Sequence, residues 1–157
     1  MDEKDLQILT ILQSDARTSN AAIARRLGMA ASAVLERIRK LEQRGVLLGY
    51  HARLDPDALG SGLLAFVHVQ VDDRQEEEST GELLSRLPQV QEVHHIAGED
   101  CYFVKLRCSS TAELGRILQH DLGAFSSIRR TRTTIALGTL KETLALPVPG
   151  TEKESPS

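Results

Sequence analysis

The chain has 157 residues, of which 41% are hydrophobic, and a formal net charge of −3, so it can form one domain or two small ones with a packed core. Only 3% of the residues are aromatic and none is tryptophan, so leucine, isoleucine, valine and alanine must build that core. The charged opening MDEKDLQ is unlike a secretory signal, the longest largely apolar run (62–71) is too short to span a bilayer, and there are two cysteines, so we expect a reducing, cytoplasmic setting and no membrane partner.

Charge is distributed unevenly along the chain. The first 50 residues hold eight basic and six acidic residues, whereas the remaining 107 hold eleven and sixteen. Within residues 17–50 the imbalance is stronger, with seven basic residues against two acidic ones. This asymmetry favours a basic module followed by an acidic one, and a basic patch on an acidic chain indicates an anionic partner.

Residues 2–14 are predicted to form a helix with a wide apolar face. That face consists of Leu6, Ile8, Leu9, Ile11 and Leu12. It is wider than one small contact needs, so we expect part of it to pack on the following helices and part on another subunit.

The stretch from Thr18 to Tyr50 is predicted to form two short helices joined by a tight turn. Ser19 is a good N-cap residue for the first helix, and Gly28 supplies the left-handed conformation that ends it. The second helix is predicted over 31–44, stopping at Gly45. The inward face of the first helix is predicted to comprise Ala21, Ile23, Ala24 and Leu27.

The second predicted helix has one apolar and one polar face. Val34, Ile38 and Leu41 share the apolar face, and the outer face carries Ser32, Glu36, Arg39, Lys40 and Gln43. By periodicity alone, an ordinary helical hairpin with a solvated charged face explains this pattern equally well. The short helix–glycine–helix spacing and the local basic excess favour a winged-helix-like, DNA-binding helix-turn-helix, whose second helix enters a major groove.

Candidate contacts to double-stranded DNA lie on the outer face of this second helix. Arg39 and Lys40 are the best candidates for phosphate or base contacts. Ser32, Ala33 and Glu36 are candidates for base edges, Glu36 because a carboxylate can accept a hydrogen bond from cytosine N4.

Three further arginines each admit two interpretations. Arg37 lies on the flank between the two faces, and it either contacts DNA or ties the helix to a nearby carboxylate. Arg25 and Arg26, on the preceding helix, either clamp phosphates or are simply solvated.

A linker is predicted after this module. Residues 46–54 are strand-like, Asp55-Pro56-Asp57 interrupts them, and Gly60-Ser61-Gly62 follows. We therefore assign residues 1–50 to the helix-turn-helix domain and 51–62 to a strand and linker.

The rest of the chain is predicted to fold as an α+β domain. A strand over 63–71 alternates between an aliphatic face and a half-apolar face that carries Leu64, Phe66, His68 and Gln70. A helix ending near Pro88, strands over 90–97 and 101–108, a helix over 110–122 and a strand over 128–137 follow. The order βαββαβ is the ferredoxin-like pattern, assigned to residues 63–145, and the tail 146–157 is predicted to be disordered.

No pattern supports a cofactor, a metal site or a catalytic centre. His94 and His95 are adjacent on one strand and point to opposite faces, so they cannot chelate one ion. Cys101 and Cys108 also face opposite ways. No nucleophile–base arrangement and no glycine-rich phosphate loop has persuasive spacing.

The chain resembles the Lrp/AsnC family of prokaryotic transcription regulators over roughly residues 2–142. The matching blocks are LQILTILQSDAR (6–17), IARRLGM (23–29), SAVLERIRKLEQRGVLLGY (32–50), LPQVQEV (87–93), AGEDCYFVKLRC (97–108) and RRTRTTIAL (129–137). The resemblance implies amino-acid-responsive DNA binding, homodimers joined through the C-terminal sheets, and often octamers. This chain departs from the family's usual residues at Ala22, Ala30 and Cys101.

The hairpin loop between the two middle strands has two interpretations. Glycine and aspartate are expected in any such turn. The resemblance instead implies that the loop lines an amino-acid pocket between dimers, where a carboxylate can hold an α-ammonium group and loop amides an α-carboxylate. The effector-binding residues would then be Gly98, Glu99, Asp100, Cys101 and Tyr102.

Two functions therefore remain. The first is a sequence-specific transcription regulator whose DNA binding or assembly is modulated by a small molecule, with an amino acid favoured. The alternative is a small dimeric ferredoxin-like enzyme of the monooxygenase type, with His94 or His95 catalytic and an accessory N-terminal module. The helix-turn-helix argues against the enzyme, since such enzymes do not need a basic N-terminal module.

Overall fold

The computed structural model describes residues 1–72, 79–98 and 100–149. The chain forms two compact units, one comprising residues 1–53 together with the described residues 142–149, and the other comprising residues 54–141. Each unit is described by itself below.

The first unit contains three helices whose ends follow from local sequence. They are α1 (Glu3–Ser14), α2 (Asn20–Leu27) and α3 (Ala31–Gln43). The Ser19 hydroxyl accepts a hydrogen bond from the Ala22 N–H at 3.2 Å, and Gly28 ends α2 with φ +64°. Both N-cap and C-cap were predicted, and both are confirmed. At α3, in contrast, Ala30 occupies the N-cap and makes no side-chain cap hydrogen bond.

The core of this unit is an aliphatic cluster from all three helices. Its buried members are Ile8, Leu12, Ile23, Ala24, Val34 and Ile38. The predicted apolar stripe of α3 is therefore confirmed, but the predicted inward position of Ala21 is wrong, because Ala21 is exposed. At about 100° per residue, Ala21 lies about 160° from the fully buried Ile23, at the far edge of the stripe.

The predicted strand in the linker does not form. Residues 46–62 contain turns but no strand, and Leu48, Tyr50 and Leu54 are exposed. A strand needs a neighbour to pair its N–H and C=O groups. Among the described residues no strand pairs with this segment.

The second unit has the predicted ferredoxin-like architecture, a four-stranded antiparallel sheet in the order β2-β3-β1-β4. The central strand β1 spans Leu63–Val71, as predicted. The other elements are α4 (Thr80–Ser85), β2 (Val90–His95), β3 (Tyr102–Cys108), α5 (Thr111–Arg116) with a π-helical continuation (Ile117–Leu122), and β4 (Ile128–Ile135).

Among the described elements, the helices pack on one face of this sheet. The inner face and the helices bury an aliphatic core that includes Val67, Val104, Leu84 and Ile117, all 0% exposed. On the outer face Phe66 and Phe103 stack with ring centroids 5.5 Å apart and stay half-exposed. The alternation predicted for β1 is thus confirmed, because successive side chains of a strand point to opposite faces.

The tail predicted over 146–157 lies largely outside the described residues. Where the structure describes it, the Gln13 side chain makes two hydrogen bonds with Leu146: Gln13 Oε1 accepts from the Leu146 N–H at 2.7 Å, and Gln13 Nε2 donates to the Leu146 C=O at 3.0 Å. Leu146 therefore lies against α1.

The left-handed turn between α2 and α3 provides a stability test. A Cβ at position 28 would meet no atom within 4 Å, so Gly28→Ala should cost only backbone strain, about 1–2 kcal/mol. Gly28→Asn should cost less, because asparagine tolerates the left-handed conformation. Urea denaturation followed by circular dichroism measures both, and equal losses for the two variants would contradict this account.

Candidate functional site

The outer face of α3 is a continuous exposed polar strip. Ser32, Ala33, Glu36, Arg39 and Lys40 are all exposed, opposite the buried stripe of the same helix. Lys40 Nζ lies 3.8 Å from Glu36 Oε1, with side chains 65% and 59% exposed. Surface ion pairs of this kind contribute little stability, so both groups can exchange partners readily.

Arg37 forms the intrachain contact that was one of its two predicted alternatives. Its Nη1 lies 2.7 Å from Asp2 Oδ2 and 2.7 Å from Asp5 Oδ1, so it ties α3 to the start of α1. These carboxylates raise the pKa of Arg37. The pKa of Asp2 is lowered, first by the hydrogen bond from the Asp5 backbone N–H and then by the one from Arg37.

The end of α2 adds two exposed cations. Arg25 and Arg26 occupy its last turn, where positive charge complements the helix dipole. Lys4 Nζ donates to the Leu27 C=O at 3.0 Å and so caps the same helix end. Exposure alone is compatible with either phosphate binding or solvation for the two arginines.

The predicted effector residues separate in space. Gly98 sits in the hairpin turn with φ +137°, and Glu99 lies outside the described residues. Asp100 belongs to the outer sheet face, where its Oδ2 accepts from Arg132 Nη2 at 3.2 Å and lies 3.3 Å from His68 Nδ1. That nitrogen is within ion-pair distance but lacks hydrogen-bond geometry. The Asp100 carboxylate is therefore already paired within the chain.

Cys101 and Tyr102 line an open cleft of about 550 Å³. The other lining residues are Gln70, Val71, Asp72, His95 and Arg129. Arg129 Nη2 lies 3.5 Å from Asp72 Oδ2, and the rings of His95 and Tyr102 are 5.2 Å apart. Among its described lining residues, the cleft thus offers an arginine and an aspartate side by side, next to a thiol and two rings.

Sequence reasoning missed Asp72 and Arg129. They lie 57 positions apart in the chain but come together because β4 pairs with β1. The ferredoxin-like strand order was the available signal, since it places the end of β1 beside the start of β4.

The described part of the chain supports neither a metal site nor a membrane-spanning helix. There, no three His, Cys, Asp or Glu side chains converge to hold a metal ion. No helix within the described ranges has the length and apolarity needed to cross a bilayer.

Known domain families match both units. Residues 1–42 match the AsnC-type helix-turn-helix domain, and residues 64–146 match the Lrp/AsnC ligand binding domain. The second match alone covers more than half of the chain.

Full-length relatives and solved structures agree with these matches. The chain is 36% identical over 148 residues to the transcriptional regulator FL11 of Pyrococcus horikoshii, covering 94% of this chain and 97% of that protein. It is 30% identical over 145 residues to the leucine-responsive regulatory protein of Haemophilus influenzae, covering 91% and 87%. The feast or famine regulatory protein of Mycobacterium tuberculosis, solved with L-methionine, superposes with a TM-score of 0.86 at 33% identity, covering 94% and 99%.

These domains and relatives belong to transcription regulators and not to enzymes, so the alternative of a monooxygenase-type enzyme is set aside. A DNA-binding helix-turn-helix joined to an α+β ligand-binding domain, matched over almost the whole chain, places this protein in the Lrp/AsnC family of transcription regulators.

Proposed function

We propose that this regulator reads specific DNA sequences with the outer face of α3 and that an amino acid modulates its DNA binding or its assembly. The observation that carries the first part is the burial pattern of α3. Val34, Ile38 and Leu41 are held in the core, so the polar strip on the opposite side faces outward. A recognition helix needs this arrangement to enter a major groove.

The proposed DNA contacts divide by type. Arg39 and Lys40 bind phosphates or guanine edges, while Ser32, Ala33 and Glu36 face base edges. Arg25 and Arg26 supply phosphate contacts from α2. The first turn of α3 is also suited to lie near a phosphate. It carries no acidic residue that would repel a phosphate and no side-chain cap that would occupy its free N–H groups.

The proposed effector site is the cleft beside β1 and β4. A free amino acid presents an ammonium and a carboxylate on one carbon, and the paired Asp72 and Arg129 offer the complementary charges. The thiol of Cys101 and the rings of His95 and Tyr102 would then contact the effector's side chain. The methionine complex of the M. tuberculosis relative supports an amino acid as the ligand class.

We further propose that the protein acts in the cytoplasm as a homodimer, with higher even-numbered assemblies such as octamers. The half-exposed Phe66 and Phe103 of the outer sheet face support this, and so do Leu137 and Leu140, whose side chains are almost fully exposed. Apolar surface of this kind is expected where another subunit packs. An effector that prefers one assembly would change DNA affinity through that preference.

The DNA proposal predicts two losses. Arg39→Ala and Lys40→Ala should each weaken binding to a duplex selected by the wild-type protein from a random-sequence pool, by about 1–3 kcal/mol for a base contact. If either residue binds a phosphate, the loss should be uniform across sequences and the salt slope should fall by about 1. Fluorescence anisotropy across a salt series measures both quantities.

The matched control is Lys141→Ala, which removes an exposed cation from the other unit. It should leave affinity and salt slope unchanged. Wild-type affinity in the Arg39→Ala, Lys40→Ala double variant would show that α3 does not read DNA.

The effector proposal predicts a ligand response that depends on the cleft. A thermal-shift screen of the common amino acids should find at least one that raises the melting temperature and changes the DNA-binding midpoint. Arg129→Gln and Asp72→Asn should each abolish that response without changing DNA affinity in the absence of ligand. Light scattering with and without the amino acid reports the change of assembly.

Arg116→Gln is the matched control, because Arg116 is an exposed arginine of α5 that also pairs with an aspartate, Asp121, and neither residue lines the cleft. It should respond like wild type. No response to any amino acid in the wild-type protein would remove the effector hypothesis, whereas a response that survives Arg129→Gln would place the site elsewhere.

A further inference from the structure

The start of α1 and the flank of α3 share a closed network of charges. Asp2 and Asp5 form a capping box: Asp2 Oδ1 accepts from the Asp5 N–H at 2.9 Å, and Asp5 Oδ2 accepts from the Asp2 N–H at 3.1 Å. The remaining oxygen of each carboxylate accepts from Arg37 Nη1 at 2.7 Å. Every carboxylate oxygen of the pair therefore has a donor.

The hydrogen bonds of this network depend on direction, whereas the apolar contacts of the core beneath it do not. The contacts of Ile8 with the α3 stripe are apolar, and such contacts tolerate small rotations and translations of a helix. Charge-assisted hydrogen bonds from Nη1 to two carboxylates restrict where the Arg37 side chain can lie. The Asp5 side chain is only 13% exposed and that of Arg37 32%, so solvent screens their contact less than it screens the outer pair of Glu36 and Lys40.

We propose that Arg37 is a positioning residue for DNA recognition: held by Asp2 and Asp5, it fixes how α3 is presented and does not itself touch DNA. The proposal rests on α3 being the DNA-reading helix. Arg39 and Lys40 lie two and three positions after Arg37, so a rotation of α3 that this network prevents would displace both from their base and phosphate partners. Arg37 also offsets one of the two carboxylate charges that would otherwise repel the DNA backbone.

The proposal predicts that removing Arg37 or Asp5 changes DNA affinity in the same direction. Arg37→Ala and Asp5→Ala should each lower affinity for the selected duplex by about tenfold, with little change on random-sequence duplex and an unchanged salt slope. The double variant should bind no worse than Arg37→Ala alone, because Arg37→Ala already removes the contact that Asp5→Ala breaks. Arg37→Lys should restore part of the selectivity, since an ammonium keeps the charge but loses the planar geometry.

Fluorescence anisotropy on the two duplexes across a salt series, with the full chain, measures these effects. Melting temperatures of all variants show whether each is folded, and Arg37→Lys and Asp5→Asn serve where the alanine variants do not fold. A direct DNA contact by Arg37 predicts the opposite pattern: Arg37→Ala lowers the salt slope by about 1 and weakens both duplexes alike, while Asp5→Ala strengthens binding.

That pattern would overturn the proposal, and so would wild-type selectivity in the folded Asp5 variants. A failure of the proposal that α3 reads DNA can be told apart from a failure of the Arg37 proposal. In the first case the Arg39→Ala and Lys40→Ala variants would also bind like wild type.

Discussion

Burial of the apolar stripe of α3 is the constraint on which the DNA-binding unit depends. Val34 and Ile38 are held against Ile8 of α1 and Ile23 of α2, so one side of the helix cannot turn outward. The polar side of α3 is consequently exposed to solvent as one surface, because the opposite side is buried. Burial of each such side chain contributes about 1.5–3 kcal/mol, far more than the surface pair of Glu36 and Lys40. Apolar packing therefore determines which face of α3 is exposed, and the contacts of Arg37 with Asp2 and Asp5 tie that helix to α1.

Local signals explain what the sequence predicted well. Ser19 and Gly28 act on their own backbone, and the period-two pattern of 63–71 depends only on strand geometry, so helix ends and β1 were predictable. The strand predicted over 46–54 failed because pairing requires a neighbour, which periodicity cannot supply. Arg37 stayed ambiguous because its partners are 32 and 35 residues away in sequence. The Asp72–Arg129 pair was missed for the same reason.

The hairpin loop shows how a carboxylate's environment changes its role. Asp100 was predicted to bind an ammonium group, but Arg132 already neutralises it on the outer sheet face. Asp72 also has an arginine partner, yet that pair lines an open cleft at the same end of the sheet. Two acid–arginine pairs of similar length thus differ in what surrounds them: stacked rings and His68 for one, and accessible volume for the other. Their settings, more than their separations, are the reason that we propose Asp72 and Arg129 as the effector residues.

The return of residues 142–149 to the first unit has a practical consequence for work with this protein. A fragment cut at the linker, such as residues 1–53, contains all three helices but not the segment whose backbone pairs with Gln13. The amide of Gln13 would then face water, and α1 would present an altered surface. Such a fragment is therefore an incomplete copy of the DNA-binding unit, and a fusion partner attached near residue 146 modifies that unit even though residue 146 is far along the chain from the three helices.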